Sequence, residues 1–97
     1  MSIQSFGNDL TEKIFLGVYD KEVSRFPRMT LDIVVRKLDL IESAGTLHDL
    51  FSPPGNRLKK LRGDLKEYWS IRVNSQWRIL FRWLKDGPSD VQIIDYH

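Results

Sequence analysis

Hydrophobic positions along the chain recur first at helical spacing and then at every second residue. Leu31, Val34, Val35, Leu38 and Ile41 fall three or four apart, the spacing that gathers side chains on one stripe of an α-helix. Pro27 suits a first helical turn, where its missing amide proton costs nothing, and Gly45 marks the end. Asp32, Arg36, Lys37, Asp39 and Glu42 lie mostly on other sides, so this helix should rest its stripe on something flat and apolar. Upstream, "NDLTEKIFLG" offers Asn8 as an acceptor for orphan amides, Asp9 and Glu12 against the positive end of the helix dipole, and Gly17 as a left-handed stop. A first helix is expected from about Asp9 to Leu16.

After the turn-rich "FSPPGN" the period changes to two. Trp69, Ile71 and Val73 point one way and Ser70, Arg72 and Asn74 the other. Beyond a turn at Asn74, Ser75 and Gln76, the residues Trp77, Ile79, Phe81 and Trp83 alternate with Arg78, Leu80 and Arg82. This is a hairpin with an apolar face and a guanidinium face. Leu58 to Leu61 is a shorter strand before it, "KDGPSD" a turn after it, and Val91 to Tyr96 the last strand. A short N-terminal strand completes the order. The class is α+β, with two N-terminal helices packed on one face of an antiparallel sheet. Trp69, Trp77 and Trp83 share the apolar phase and belong to the core.

Ninety-seven residues without a linker, repeat or low-complexity tract read as one domain over residues 1–97. No cysteine is present, which excludes disulfides and thiolate metal sites and fits a reducing compartment. No segment approaches the roughly 18 apolar residues of a membrane span, and Met1 to Phe6 lacks the pattern of a secretory signal. A cytoplasmic protein with no membrane partner is expected.

The net charge of +2 conceals an uneven distribution. Between Asn56 and Lys85, nine basic residues (Arg57, Lys59, Lys60, Arg62, Lys66, Arg72, Arg78, Arg82 and Lys85) face two acids, Asp64 and Glu67. A local excess of this size points to a polyanion, phosphate most obviously. The alternative is a solvated face neutralised by the acidic helices. Antiparallel sheets can leave one face in water, and here that face would carry Arg72 and Arg78, with Lys59, Lys60 and Arg62 entering from the preceding strand and loop. Cations opposite one another on neighbouring strands cost stability unless an anion comes between them.

The tract "RLKKLRGDLKEYWSIRVNSQWRILFRW", followed by a terminal "DYH", resembles the HigB toxins of the RelE/ParE superfamily of toxin–antitoxin systems along nearly the whole chain. The resemblance implies a microbial-ribonuclease-like fold and a metal-independent endoribonuclease, without cofactor, that cuts messenger RNA on the translating ribosome. It also implies neutralisation by a small HigA-type helix-turn-helix antitoxin, through which alone operator DNA would be bound. Position by position, Asp95, Tyr96 and His97 match the family's terminal catalytic residues, and Arg72 and Arg78 match basic sheet positions of the superfamily. In well-known members the loop before "GD" supplies a histidine and, three residues on, a lysine; here Lys59 and Arg62 occupy those places. Phosphate binding survives that change, but an imidazole is lost from that side.

RNA cleavage without a metal needs a group to take the 2′-hydroxyl proton, groups to hold charge on phosphorus, and a group to protonate the departing 5′-oxygen. Arg62, Arg72 and Arg78 suit the second task because guanidinium is always charged and offers fork-shaped donors, with Lys60 and Arg57 as further phosphate ligands. His97 is the one side chain of the set whose unperturbed pKa, ~6.5, lies near neutrality, so proton transfer should centre on it. Either Lys59 or Asp95 could act as base, and Asp95 could instead orient His97. Tyr96 could stack on a base or donate to phosphate. Val91, Ile93 and Ile94 would tie the last strand into the sheet and bring these residues out beside the arginines. His48, in the turn after the second helix, reads as a surface or capping residue, and two histidines without cysteine make a metal site unexpected. Competing functions are a non-catalytic ParE-like inhibitor of gyrase or the ribosome, and an inactive relative retained for autorepression with its antitoxin.

Overall fold

The computed structural model describes residues 1–96. His97, to which the sequence gives the central proton-transfer role, lies outside the described residues. Helix α1 spans Asp9–Leu16, and both of its ends are set by local chemistry. The Asn8 side-chain oxygen accepts from the Thr11 amide at 2.9 Å, and Gly17 closes the helix with φ 77°, a conformation a Cβ would penalise. Helix α2 spans Arg28–Ser43, so Pro27 is the residue that caps the helix, at φ −55° and ψ 143°, and does not enter its first turn. Val34, Leu38 and Ile41, from the expected stripe, are each 0% exposed.

Strands β1 (Lys59–Lys60), β2 (Trp69–Arg72), β3 (Trp77–Leu84) and β4 (Gly87–Asp95) form one antiparallel sheet in the order β1-β2-β3-β4. Ile71 and Val73 before the hairpin turn, Ile79 and Phe81 on β3, and Val91 and Ile93 on β4 join the α2 stripe and Ile14 in the main apolar cluster. The helices therefore cover one sheet face, as the period-two pattern requires. Burying side chains of this size contributes roughly 1.5–3 kcal/mol each relative to exposure. The tryptophans pack against this cluster, with Trp77 at 5.0 Å from the Phe26 ring and Trp83 at 6.5 Å from Phe81.

Three elements differ from the sequence reading. The N-terminal residues form no strand; Phe6 makes a single parallel bridge to Val91, with Gln4, Ser5 and Gly7 bonding along the outer edge of β4. β1 is two residues long. The turn before β4 is confined to Lys85 and Asp86, and Gly87–Asp90, read as turn residues, are already in the strand. Pro88 is tolerated there because β4 is an edge strand, where a missing amide proton breaks no ladder. A register shift opposite Leu80 and Arg82, with Asp90 at φ 51°, absorbs one extra residue as a bulge. Further along the same edge, the Ile93 amide donates to the Thr11 hydroxyl at 2.9 Å, so α1 seals the backbone that leads to the C-terminal residues.

Candidate active site

The ladder brings the last residues of β4 beside β3, because Arg78 pairs with Ile94 and Trp77 with Asp95. The Tyr96 amide then donates to the Gln76 carbonyl at 2.6 Å, extending the pairing past the end of the strand. Side chains alternate across a strand, so Tyr96 shares the face of Ile94 and Arg78, away from the helices. At the opposite edge of the sheet, Lys59 pairs with Ser70, whose hydroxyl bonds Arg78, and so joins the same face. The result is one cluster from three strands. The Lys59 ammonium lies over the Tyr96 ring at 4.7 Å from its centroid, and the Arg78 guanidinium carbon lies 5.6 Å from the same centroid. Lys59, Lys60, Leu61, Arg62, Leu65 and Tyr96 line an open cavity of about 550 Å³.

Arg78 differs from the expectation of a solvated guanidinium. It is only 7% exposed, and its neighbours on that face, Ser70 and Leu80, are 0% and 3% exposed. The cause is the segment at Arg57, which crosses this face on its way to β1. Nε of Arg78 donates to Ser70 Oγ at 2.9 Å, and one terminal nitrogen donates to the Arg57 carbonyl at 2.8 Å. Arg57 reaches that position with φ 44°. Burial pulls the Arg78 pKa below its ordinary value, Arg72 and Arg57 push the same way, and the Tyr96 phenol opposes them. A guanidinium begins so high that it stays charged regardless. Its anchored nitrogens hold the fork in one orientation, and such preorganisation is what stabilising a developing charge requires.

The same charges act on Tyr96. The adjacent Lys59 ammonium holds its phenol below the usual value of 10.0, with Arg78 adding to the effect. Tyr96 remains 37% exposed, so the residue is open to a ligand.

The other sequence-predicted residues are distributed around this centre. Arg62 is exposed on the cavity wall. Lys60 borders the cavity too, yet its ammonium lies 5.0 Å from the Trp69 ring centroid, on the face opposite Lys59 by register. Arg57 contributes its carbonyl and its charge to Arg78. Arg72 stands directly across from Arg78 and lines a separate groove against α2. Asp95 takes the phase of Ile93 and Trp77, and its carboxylate accepts from Gln76 Nε2 at 3.1 Å. His48 is exposed beside Phe51 and does not line the cavity at Tyr96. Among the described residues no group of three or more His, Cys, Asp or Glu side chains could hold a metal ion.

Two supporting residues escaped the sequence reading. Ser70 fixes Arg78, and Gln76 ties both Asp95 and the backbone of Tyr96. Only the alternation that puts Ser70 and Arg78 on one face of a hairpin hinted at the first.

Residues 4–97 match the family described as "RelE-like toxin of type II toxin-antitoxin system HigB". The chain is 40% identical over 78 residues to "Toxin HigB-1" of Vibrio cholerae, covering 80% of this chain and 81% of that protein. It is 31% identical over 81 residues to "Endoribonuclease HigB" of Proteus vulgaris, covering 82% of this chain and 87% of that one. The chain thus belongs to the HigB-like family of type II toxins, and an antitoxin partner comes with that membership.

Proposed function

We propose that this HigB-family toxin cuts messenger RNA on the translating ribosome and that the scissile phosphate seats against Tyr96, Lys59 and Arg78. The observation that carries the reading is the convergence of two cations from different strands on one exposed phenol ring. A phosphodiester supplies the anion that this arrangement lacks. Arg78, held by Ser70 and Arg57, presents a rigid donor to a phosphate oxygen, and Arg62 on the cavity wall adds an exposed one. The Tyr96 hydroxyl, polarised by Lys59, either donates to the phosphate or takes part in proton transfer. His97 protonates the departing 5′-oxygen. Asp95 takes the 2′-hydroxyl proton, or Lys59 does so after giving up its own proton, since an ammonium donates and cannot accept.

The cognate partner is a HigA-type helix-turn-helix antitoxin, and binding to operator DNA runs through it. Mapping RNA ends after brief induction of the wild type and of His97→Ala tests the reading. Cuts within translated frames that vanish in the variant support it. Growth arrest by both proteins without new RNA ends would refute it and leave an inhibitor that acts by binding.

A further inference from the structure

Between α2 and the end of β2 that β1 leaves uncovered runs a groove of about 620 Å³, with Arg36, Lys37 and Arg72 on its walls. Lys37 is its anchored member. The ammonium donates to the side-chain oxygen of Asn56, which is 0% exposed and whose amide nitrogen donates to the Leu50 and Ser52 carbonyls. Those two bonds determine which end of the amide is oxygen, so the ammonium is held at one place with further donor hydrogens to spend. Among the described residues Lys37 has no ion-pair partner. Asp39 is the acid that lines the groove. Burial, with Arg36 and Arg72 adding, pulls the Lys37 pKa below its ordinary value of 10.5. A half-buried cation between two others is unfavourable until an anion joins them.

The groove also lies next to the cluster around Tyr96. Arg72 and Arg78 are directly opposed across β2 and β3, with Cα atoms about 5 Å apart in such a pair. Arg72 acts electrostatically on both Lys37 and Arg78, so it connects the two basic regions. Ile33, Leu40 and Val73 give the groove apolar surface on which a nucleobase can rest.

We infer that a second phosphodiester of the same RNA strand, flanking the one cut, seats in the α2 groove on Lys37, Arg36 and Arg72. This rests on the ribonuclease reading above. It assigns to α2 a role in gripping substrate, which the cleavage chemistry itself does not need.

The test is binding of a 2′-O-methyl RNA oligonucleotide, which cannot be cut, followed by fluorescence anisotropy across a salt series. Arg36→Gln and Lys37→Gln should each weaken binding about tenfold. Each should also make the slope of log affinity against log salt shallower by about 0.7, the change expected when one phosphate of a single strand is no longer neutralised. A dinucleotide, too short to span both sites, should bind all proteins alike. Arg36 is exposed, so a folding failure of Lys37→Gln leaves the test intact. Unchanged affinity and slope, no binding by the wild type at low salt, or equal losses for the dinucleotide overturns the assignment. So does loss of antitoxin binding with RNA binding intact, which would give the groove to the antitoxin. Cleavage of a translated messenger on ribosomes by Tyr96→Phe is measured separately: cutting at the wild-type rate there removes the ribonuclease site without touching the groove data.

Discussion

The Lys59 ammonium rests 4.7 Å from the centroid of the Tyr96 ring, joining the shortest strand of the sheet to the end of its longest. The pair makes a spectroscopic prediction. In a pH titration followed by NMR at the ring carbons, Tyr96 should ionise below its ordinary 10.0, and Lys59→Gln should move it upward. A phenol with a depressed folded value adds its full stability above its unfolded pKa and loses it as pH falls through the folded one. At neutral pH it is protonated in both states, so the substitution should leave stability near pH 7 almost unchanged.

Arg78 should matter to both fold and activity. Arg78→Ala leaves the Ser70 hydroxyl and the Arg57 carbonyl without their donor in a buried setting, a loss of about 2 kcal/mol. For a domain of this size that lowers the melting temperature by roughly 10 °C in a calorimetric scan. Arg78→Lys keeps the charge but not the fork, so RNA cleavage should still fall by about a hundredfold.

Adjacent residues of β1 should behave differently. Lys59 shares the face of Ser70 and Arg78, whereas Lys60 turns toward Trp69. Lys59→Gln is expected to reduce cleavage by about a hundredfold, in keeping with loss of one charge-stabilising donor. Lys60→Gln should have a much smaller effect in the same assay. Equal losses would mean that the register does not decide which lysine meets the phosphate.

Thr11 links helix α1 to the strand that carries the site. Its hydroxyl accepts from the Ile93 amide and donates to Asn8, and the residue is 0% exposed. Thr11→Val preserves shape and orphans a buried amide, so thermal denaturation should show a loss of about 1–3 kcal/mol. Hydrogen exchange should locate faster opening at Ile93 and its neighbours.

Much of the helical half was legible because its signals are local. Asn8 and Gly17 fix the ends of α1 within a few residues of themselves, and the α2 stripe repeats over several turns. The β3 alternation was equally clear, and with it the side of the sheet that the helices cover. The early start of β4 was not, since Gly87 and Pro88 carry turn propensity and pair only because Trp83 and Leu84 already stand opposite. Burial of Arg78 was hidden for a similar reason: the group that covers it includes the carbonyl of Arg57, an interaction of long sequence separation that no pattern encodes. The terminal motif points to Tyr96, while its two cationic neighbours follow from strand register.

The most direct measurement is cleavage of a translated messenger on purified ribosomes by the wild type, Tyr96→Phe and Lys59→Gln, each first shown to be folded by circular dichroism. If the two strands converge on the scissile phosphate, both variants cut at the same positions as the wild type and at least about a hundredfold more slowly. Undiminished cutting by both variants would place the chemistry elsewhere on the molecule.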